Sequence, residues 1–160
     1  MKGDRQASVK DNEELMAVVF AVLGRVKDQG LEAIAEVGLS PQQAHALFNL
    51  GQPLSQRELA TCLGYDASNI TGIVDRLEER GLLERTIDPS DRRVKHLVLT
   101  EQGQAVVDRL WERVVADNPF NSSLTADERA KLRSLLAKVA GDYRSLRPNW
   151  PIGPRKDAFV

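Results

Sequence analysis

Residues 55–81, SQRELATCLGYDASNITGIVDRLEERG, carry their own punctuation. Ser55 and Glu58 have the spacing of a capping box, in which each side chain satisfies a backbone N–H of the other residue. Gly64 follows Leu63 where a helix C-cap falls, which limits this helix to roughly 55–63. A second helix starts on Asp66, whose carboxylate suits the orphan N–H groups of a first turn, and Gly81 stops it. Short helix, tight turn and longer helix form a helix-turn-helix signature.

The second helix has the sharpest periodicity in the chain. Ile70, Ile73, Val74 and Leu77 fall at i, i+3, i+4 and i+7 and define one apolar stripe. At about 100° per residue, Ser68, Gly72, Asp75 and Glu79 then point most directly outward, with Asn69, Thr71 and Arg76 on the shoulders. The N-terminal half of this face is small, neutral and rich in hydrogen-bonding groups. A helix that enters a major groove about 12 Å wide and meets base edges needs such a face. Gly72 costs roughly 0.5–1 kcal/mol against alanine in a helix interior. It is read either as room for a close backbone or phosphate approach or as a tolerated surface glycine. Asp75 and Glu79 repel phosphate, so they are expected where the helix leaves the groove, or as partners that orient Arg76.

Leu82–Ile87 and Val94–Leu99 are short β-branched or alternating runs on either side of DPSDRR, which reads as a hairpin with a longer loop. Asp88-Pro89 suits the start of a turn. A hairpin directly after a groove-reading helix is a wing, and Arg92 and Arg93 at its tip lie where a neighbouring minor groove would pass. The alternative, a solvated charged loop, is the usual fate of a basic cluster. The agreement of the hairpin with the capped helix pair favours the wing.

The flanks follow the same grammar. Ser40-Pro41-Gln42-Gln43 caps a helix through Ala44, Leu47, Phe48 and Leu50. Over residues 13–29, Leu15, Met16, Val18, Val19, Phe20, Val22, Leu23 and Val26 wrap around most of a helix. Such a helix wants burial on several sides, either against a second protomer or as the central helix of a monomer. Thr100 caps a helix over about 101–117, Asn118-Pro119 breaks it, and a third box at TADE opens another through Leu146. The tail RPNWPIGPRKDAFV cannot continue that helix and is an extended arm or disordered.

Composition narrows the function classes. With 22 Lys plus Arg against 23 Asp plus Glu, the net charge is −1, so any anion-binding surface must be local. The single cysteine rules out an internal disulfide framework, and the polar N-terminus and lack of a long apolar run point to a cytoplasmic protein. His45, His96 and Cys62 have no metal-ligand spacing, so no metal and no cofactor are expected. Cys62, three residues after Leu59, is expected in the helix-turn-helix core. Asp88, Asp91 and His96 lie along an exposed hairpin without a pocket or a nucleophile and its base, which argues against an enzyme.

The run LSQRELATCLGYDASNITGIVDRLEERGLLERTIDPSDRRVKHLVLTEQG, within Ser40–Gly103, resembles the MarR family of winged-helix transcriptional regulators. Its most specific element is the D-x-R of the wing, Asp91 and Arg93. The resemblance implies a mainly α (α+β) fold: an N-terminal dimerisation helix region over 1–39, a winged helix-turn-helix over 40–100, C-terminal dimerisation helices over 101–146, and the tail 147–160. It implies a homodimer that binds double-stranded DNA at a palindromic operator, usually as a repressor. Ser68, Asn69, Thr71 and Arg76, with Gly72, would meet the major groove. Arg93, fixed by Asp91, would enter the minor groove, and Arg92 and Lys95 would contact phosphates. Ser55 and Gln56, at the N-terminus of the shorter helix, could donate to a phosphate.

The resemblance also implies a small-molecule effector held between the dimerisation helices and the winged helix. Phe20, His45, Phe48 and Trp111 border that region, although core packing is the simpler role for each. A winged helix that binds protein is the competing class. It would favour exposed aromatic and aliphatic residues where this chain has a small polar face and two wing arginines.

Overall fold

The computed structural model describes residues 2–87 and 94–141. Its elements are α1 (Lys2–Glu36), α2 (Pro41–Asn49), β1 (Leu54–Ser55), α3 (Gln56–Leu63), α4 (Ala67–Glu79), β2 (Leu83–Ile87), β3 (Lys95–Leu99), α5 (Glu101–Ala116), α6 (Pro119–Ser123) and α7 (Ala126–Ala140). The fold is a helix-turn-helix followed by a small antiparallel sheet, set between long N- and C-terminal helices.

The local signals are borne out where they were strongest. Reciprocal capping boxes form at Ser40/Gln43, Ser55/Glu58 and Thr125/Glu128. Asp66 caps α4, and Gly64 takes φ +67° as the cap of α3, a left-handed conformation that favours glycine. The stripe on α4 faces inward: Ile70, Val74 and Leu77 are fully buried, and Ile73 packs against the core at its edge. They meet Leu47 of α2, Leu59 of α3 and Leu97 of β3 in one core, which also takes in Ile34 of α1 and Leu110 of α5.

Three boundaries differ from expectation. The first helix is 35 residues long, not confined to 13–29. No proline interrupts it, and it ends only where Gly38, at φ +65°, turns the chain. The Gly38 N–H bonds Ala35 O at 2.9 Å and the Leu39 N–H bonds Ile34 O at 3.2 Å, which satisfies the last carbonyls. The last helix ends at Ala140, where Gly141 takes φ +62°, and residues 142–146, expected within it, lie outside the described residues. Asn118, read as a breaker, also caps the short α6 by accepting from the N–H groups of Phe120 and Asn121.

The sheet has strand order β1-β3-β2, all antiparallel. Leu83 lies opposite Leu99 and Ile87 opposite Lys95, so β2 and β3 form the expected hairpin. The strand β1 has no signature in the sequence: two residues carry no alternation of their own, and Leu54 and Ser55 become a strand only by pairing with Leu97 and His96.

The apolar residues of α1 between 15 and 23 are not core of a single chain. Leu15, Met16, Val18, Phe20 and Leu23 are exposed, as are Leu135, Leu136 and Val139 of α7, which buries none of its residues. The reading of α1 as the central helix of a monomer therefore fails. No helix among the described residues is long and apolar enough to cross a membrane.

Candidate nucleic-acid interface

Burial of one stripe leaves Ser68, Asn69, Thr71, Gly72 and Arg76 together on the exposed face of α4. The N-terminal turn of that face is organised by Asp66. Its Oδ1 accepts from Ser68 N at 3.0 Å, Ser68 Oγ at 2.6 Å and Asn69 N at 2.8 Å, while Oδ2 accepts from Asn69 Nδ2 at 3.0 Å. These bonds, the Ser68 hydroxyl first, hold the Asp66 carboxyl below its usual range. Ser68 and Asn69 are thereby held at the mouth of the helix and keep acceptor capacity on Oγ and Oδ1.

The two helices of the motif are tied side chain to side chain. Gln56 Nε2 donates to Thr71 Oγ1 at 2.8 Å. Both Ser55 donors go to Glu58 Oε2, each at 2.7 Å, so neither the Ser55 nor the Gln56 side chain is idle in the absence of DNA. What remains outward at the start of α3 is Arg57, exposed and with no ion pair among the described residues. Arg57 is not among the site residues expected from the sequence. It is the one cation inside the capping box SQRE.

Asp75 does not orient Arg76. It accepts from Arg85 Nη2 of β2 at 2.6 Å, and Glu78 pairs with Nη1 of the same guanidinium. One arginine thus fastens the first strand of the wing to two successive acids of α4, a fork that suits a guanidinium and not an ammonium. Arg76 is left exposed beside them, and Lys95 is exposed at the start of β3, next to the wing loop. The expected tip residues Asp88, Pro89, Asp91, Arg92 and Arg93 lie outside the described residues, as does the tail 147–160.

Cys62 is exposed, contrary to expectation. The buried arc of α3 is Leu59, Ala60 and Leu63. Cys62 sits roughly 100° round the helix from the middle of that arc, so a spacing of three from Leu59 placed it on the wrong flank.

The four ligand candidates are not brought together in one chain. His45 is buried on α2, and Phe48 and Trp111 pack at the edge of the core. Phe20 is 64% exposed, four turns of α1 before the buried Ile34 and about 21 Å from it along the axis, so neither core packing nor a shared pocket describes it.

Burial lowers the His45 pKa from the ordinary 6.5. The unfolded chain then takes up this proton at a higher pH than the folded one. Stability conferred by neutral His45 is full above about pH 6.5 and declines as pH falls toward the folded value. Glu36, Glu58, Asp66 and Glu128 all titrate below their ordinary values of 3.8–4.5 and leave that window clear. Urea denaturation between pH 7.5 and 5 should show the decline, and His45→Gln should flatten it. An unchanged slope in the variant would assign the decline elsewhere.

A helix-turn-helix whose second helix offers a small polar face, followed by a hairpin and joined to a third short strand, defines a winged helix. The sequence model of the MarR family matches residues 37–94. The HTH-type transcriptional repressor MdtR of Bacillus subtilis (strain 168) is 31% identical over 143 residues, spanning 82% of this chain and 90% of MdtR. The chain belongs to the MarR family of winged-helix transcriptional regulators. Among solved structures, the transcriptional regulator Tm0710 from Thermotoga maritima is similar at a TM-score of 0.67 and 30% identity, covering 82% of this chain and 94% of that one. The transcriptional repressor CouR, bound to a 23-mer DNA duplex, is similar at 0.57 and 36%, covering 81% and 94%.

Proposed function

We propose that this chain is a homodimeric repressor that binds a palindromic site on double-stranded DNA. The observation that carries the proposal is the exposed face of α4, where Asp66 holds Ser68 and Asn69 and Gln56 holds Thr71, so that reading groups are ordered before DNA arrives. In this reading Ser68, Asn69, Thr71 and Arg76 meet base edges and nearby phosphates, and Gly72 allows close approach. Arg93, steadied by Asp91, enters the minor groove, while Arg57, Arg92, Lys95 and the first backbone N–H groups of α3 contact phosphates. A DNA-bound relative of 36% identity supports the same use of the fold.

The exposed apolar residues of α1 and α7, which a second copy would cover, support the dimer. Residues 1–39 and 101–146 would serve dimerisation and 40–100 DNA reading. Two heads set one DNA turn apart, roughly 34 Å, would supply through avidity what a net charge of −1 does not. A small effector that binds near His45, Phe48 and Trp111 would release DNA by changing the separation of the heads.

Selection of bound fragments from a genomic pool at stated salt tests this reading, and a two-fold palindrome is the expected product. On the selected site, Arg93→Ala should weaken binding and reduce the magnitude of the slope of log affinity against log salt by about two, one for each protomer. A non-palindromic product would overturn the symmetric dimer. An unaltered slope would remove Arg93 from the interface.

A further inference from the structure

We infer that Arg80 is a positioning residue that sets the angle between the dimerisation helix α1 and the recognition helix α4, and with it the half-site spacing the dimer accepts. The inference rests on the dimeric DNA-binding reading above. Arg80 is the C-cap of α4, its backbone N–H held by Arg76 O and Glu78 O. Its guanidinium reaches across to the turn that ends α1, where Nη1 donates to Gly38 O at 2.7 Å and Nη2 to Val37 O at 3.1 Å.

Both ends of this link are stiff. The receiving turn is closed by the Gly38 and Leu39 N–H groups on Ala35 O and Ile34 O. Its carbonyls lie just past the C-terminal, negative end of a 35-residue helix, which favours a cation there. Two carbonyls and one planar fork fix direction as well as distance, and a lysine could satisfy only one of them at a time in a defined geometry.

The position gives leverage. The ion pair between Arg113 and Glu36 joins α1 to α5, two elements assigned to dimerisation. Arg80 joins α1 to the helix assigned to reading. From Arg80 to the N-terminus of α4 is about 20 Å, so a rotation of about 10° at the link displaces the reading end by about 3.4 Å, one base-pair step. Because Arg80 is exposed, the link is open to water and can break without unpacking the core.

The experiment uses Cys62, the single cysteine, exposed on α3 within the reading head, as a nitroxide site. Distances between the two labels are measured without DNA by pulsed dipolar spectroscopy. Affinity is measured on operators whose half-site spacing is changed by one base pair either way. Wild type should show a narrow distance distribution and at least about tenfold preference for one spacing, a difference of 1.4 kcal/mol. Arg80→Ala should broaden or shift the distribution and reduce that preference to about threefold or less, and Arg80→Lys should fall between them.

A distribution and spacing profile identical to wild type in Arg80→Ala would overturn the inference. If that variant does not fold, identity in Arg80→Lys would do so. A wild type without dipolar coupling would instead refute the dimer, and this inference with it. Coupling without DNA binding would refute the DNA reading alone, and the distances would still judge Arg80.

Discussion

Gly103→Ala is expected to cost about 3 kcal/mol and to lower the melting temperature by roughly 6–12 °C. A Cβ at this position would stand 1.8 Å from Leu82 O and 2.8 Å from Leu82 C, far inside contact distance. The obstacle is backbone, so no rotamer relieves it. The Leu82 N–H is tied to Leu77 O at 2.9 Å, and its side chain is buried in the core. The first turn of α5 is equally pinned: Thr100 Oγ1 accepts from Gly103 N at 3.0 Å and donates to Gly81 O at 2.6 Å. Alanine must therefore lift α5 off the winged helix. Gly72→Ala is the control, because nothing lies within 4 Å of its Cβ, and it should gain about 0.5–1 kcal/mol. It should nevertheless weaken DNA binding if Gly72 sits against the duplex. Chemical denaturation of both variants checks the first contrast, and a Gly103→Ala protein as stable as wild type would contradict the close approach. Undiminished affinity of Gly72→Ala would leave that glycine a tolerated surface residue.

Arg85→Met should lower DNA affinity about tenfold while costing only about 1 kcal/mol of stability. Arg85 is 24% exposed and its two acids rather more, so solvent screens the pair and the energetic loss is modest. The geometric loss is larger. Without the guanidinium, Asp75 and Glu78 face each other as like charges three residues apart on α4, and the wing loses its fastening to the recognition helix. Arg85→Lys should be intermediate, since an ammonium serves one carboxylate well. Titration of labelled operator measures the effect. Wild-type affinity in Arg85→Met would mean that the core alone sets the wing angle.

The legible parts of this protein are those whose causes lie within a few residues. Three capping boxes, the Asp66 cap and the α4 stripe could be read because the partner of each group is three or four residues away. The same locality explains the errors. Spacing from Leu59 alone puts Cys62 in the core, whereas the buried arc of α3 is set by Leu59, Ala60 and Leu63 together. Leu54 and Ser55 had no strand signature because their hydrogen-bond partners are Leu97 and His96. Arg76 is the cation beside Asp75 in sequence, but the partner of Asp75 is Arg85, across the turn on another element. Nothing near Gly103 in sequence marks it as a close approach, because the obstacle, Leu82, lies on another element.

The sequence by itself determined the order of the longer helices and the hairpin, the inward stripe of α4 and the polar character of its outward face, because capping and amphipathic periodicity are local and repeat at the helical period. Only the tertiary structure decided how that face is held. Gln56 on Thr71, Arg85 on Asp75 and Glu78, and Arg80 on the turn of Val37 and Gly38 join residues up to 43 positions apart. Long flexible side chains reach many partners in an unfolded chain, and packing of the shared core selects the one each keeps.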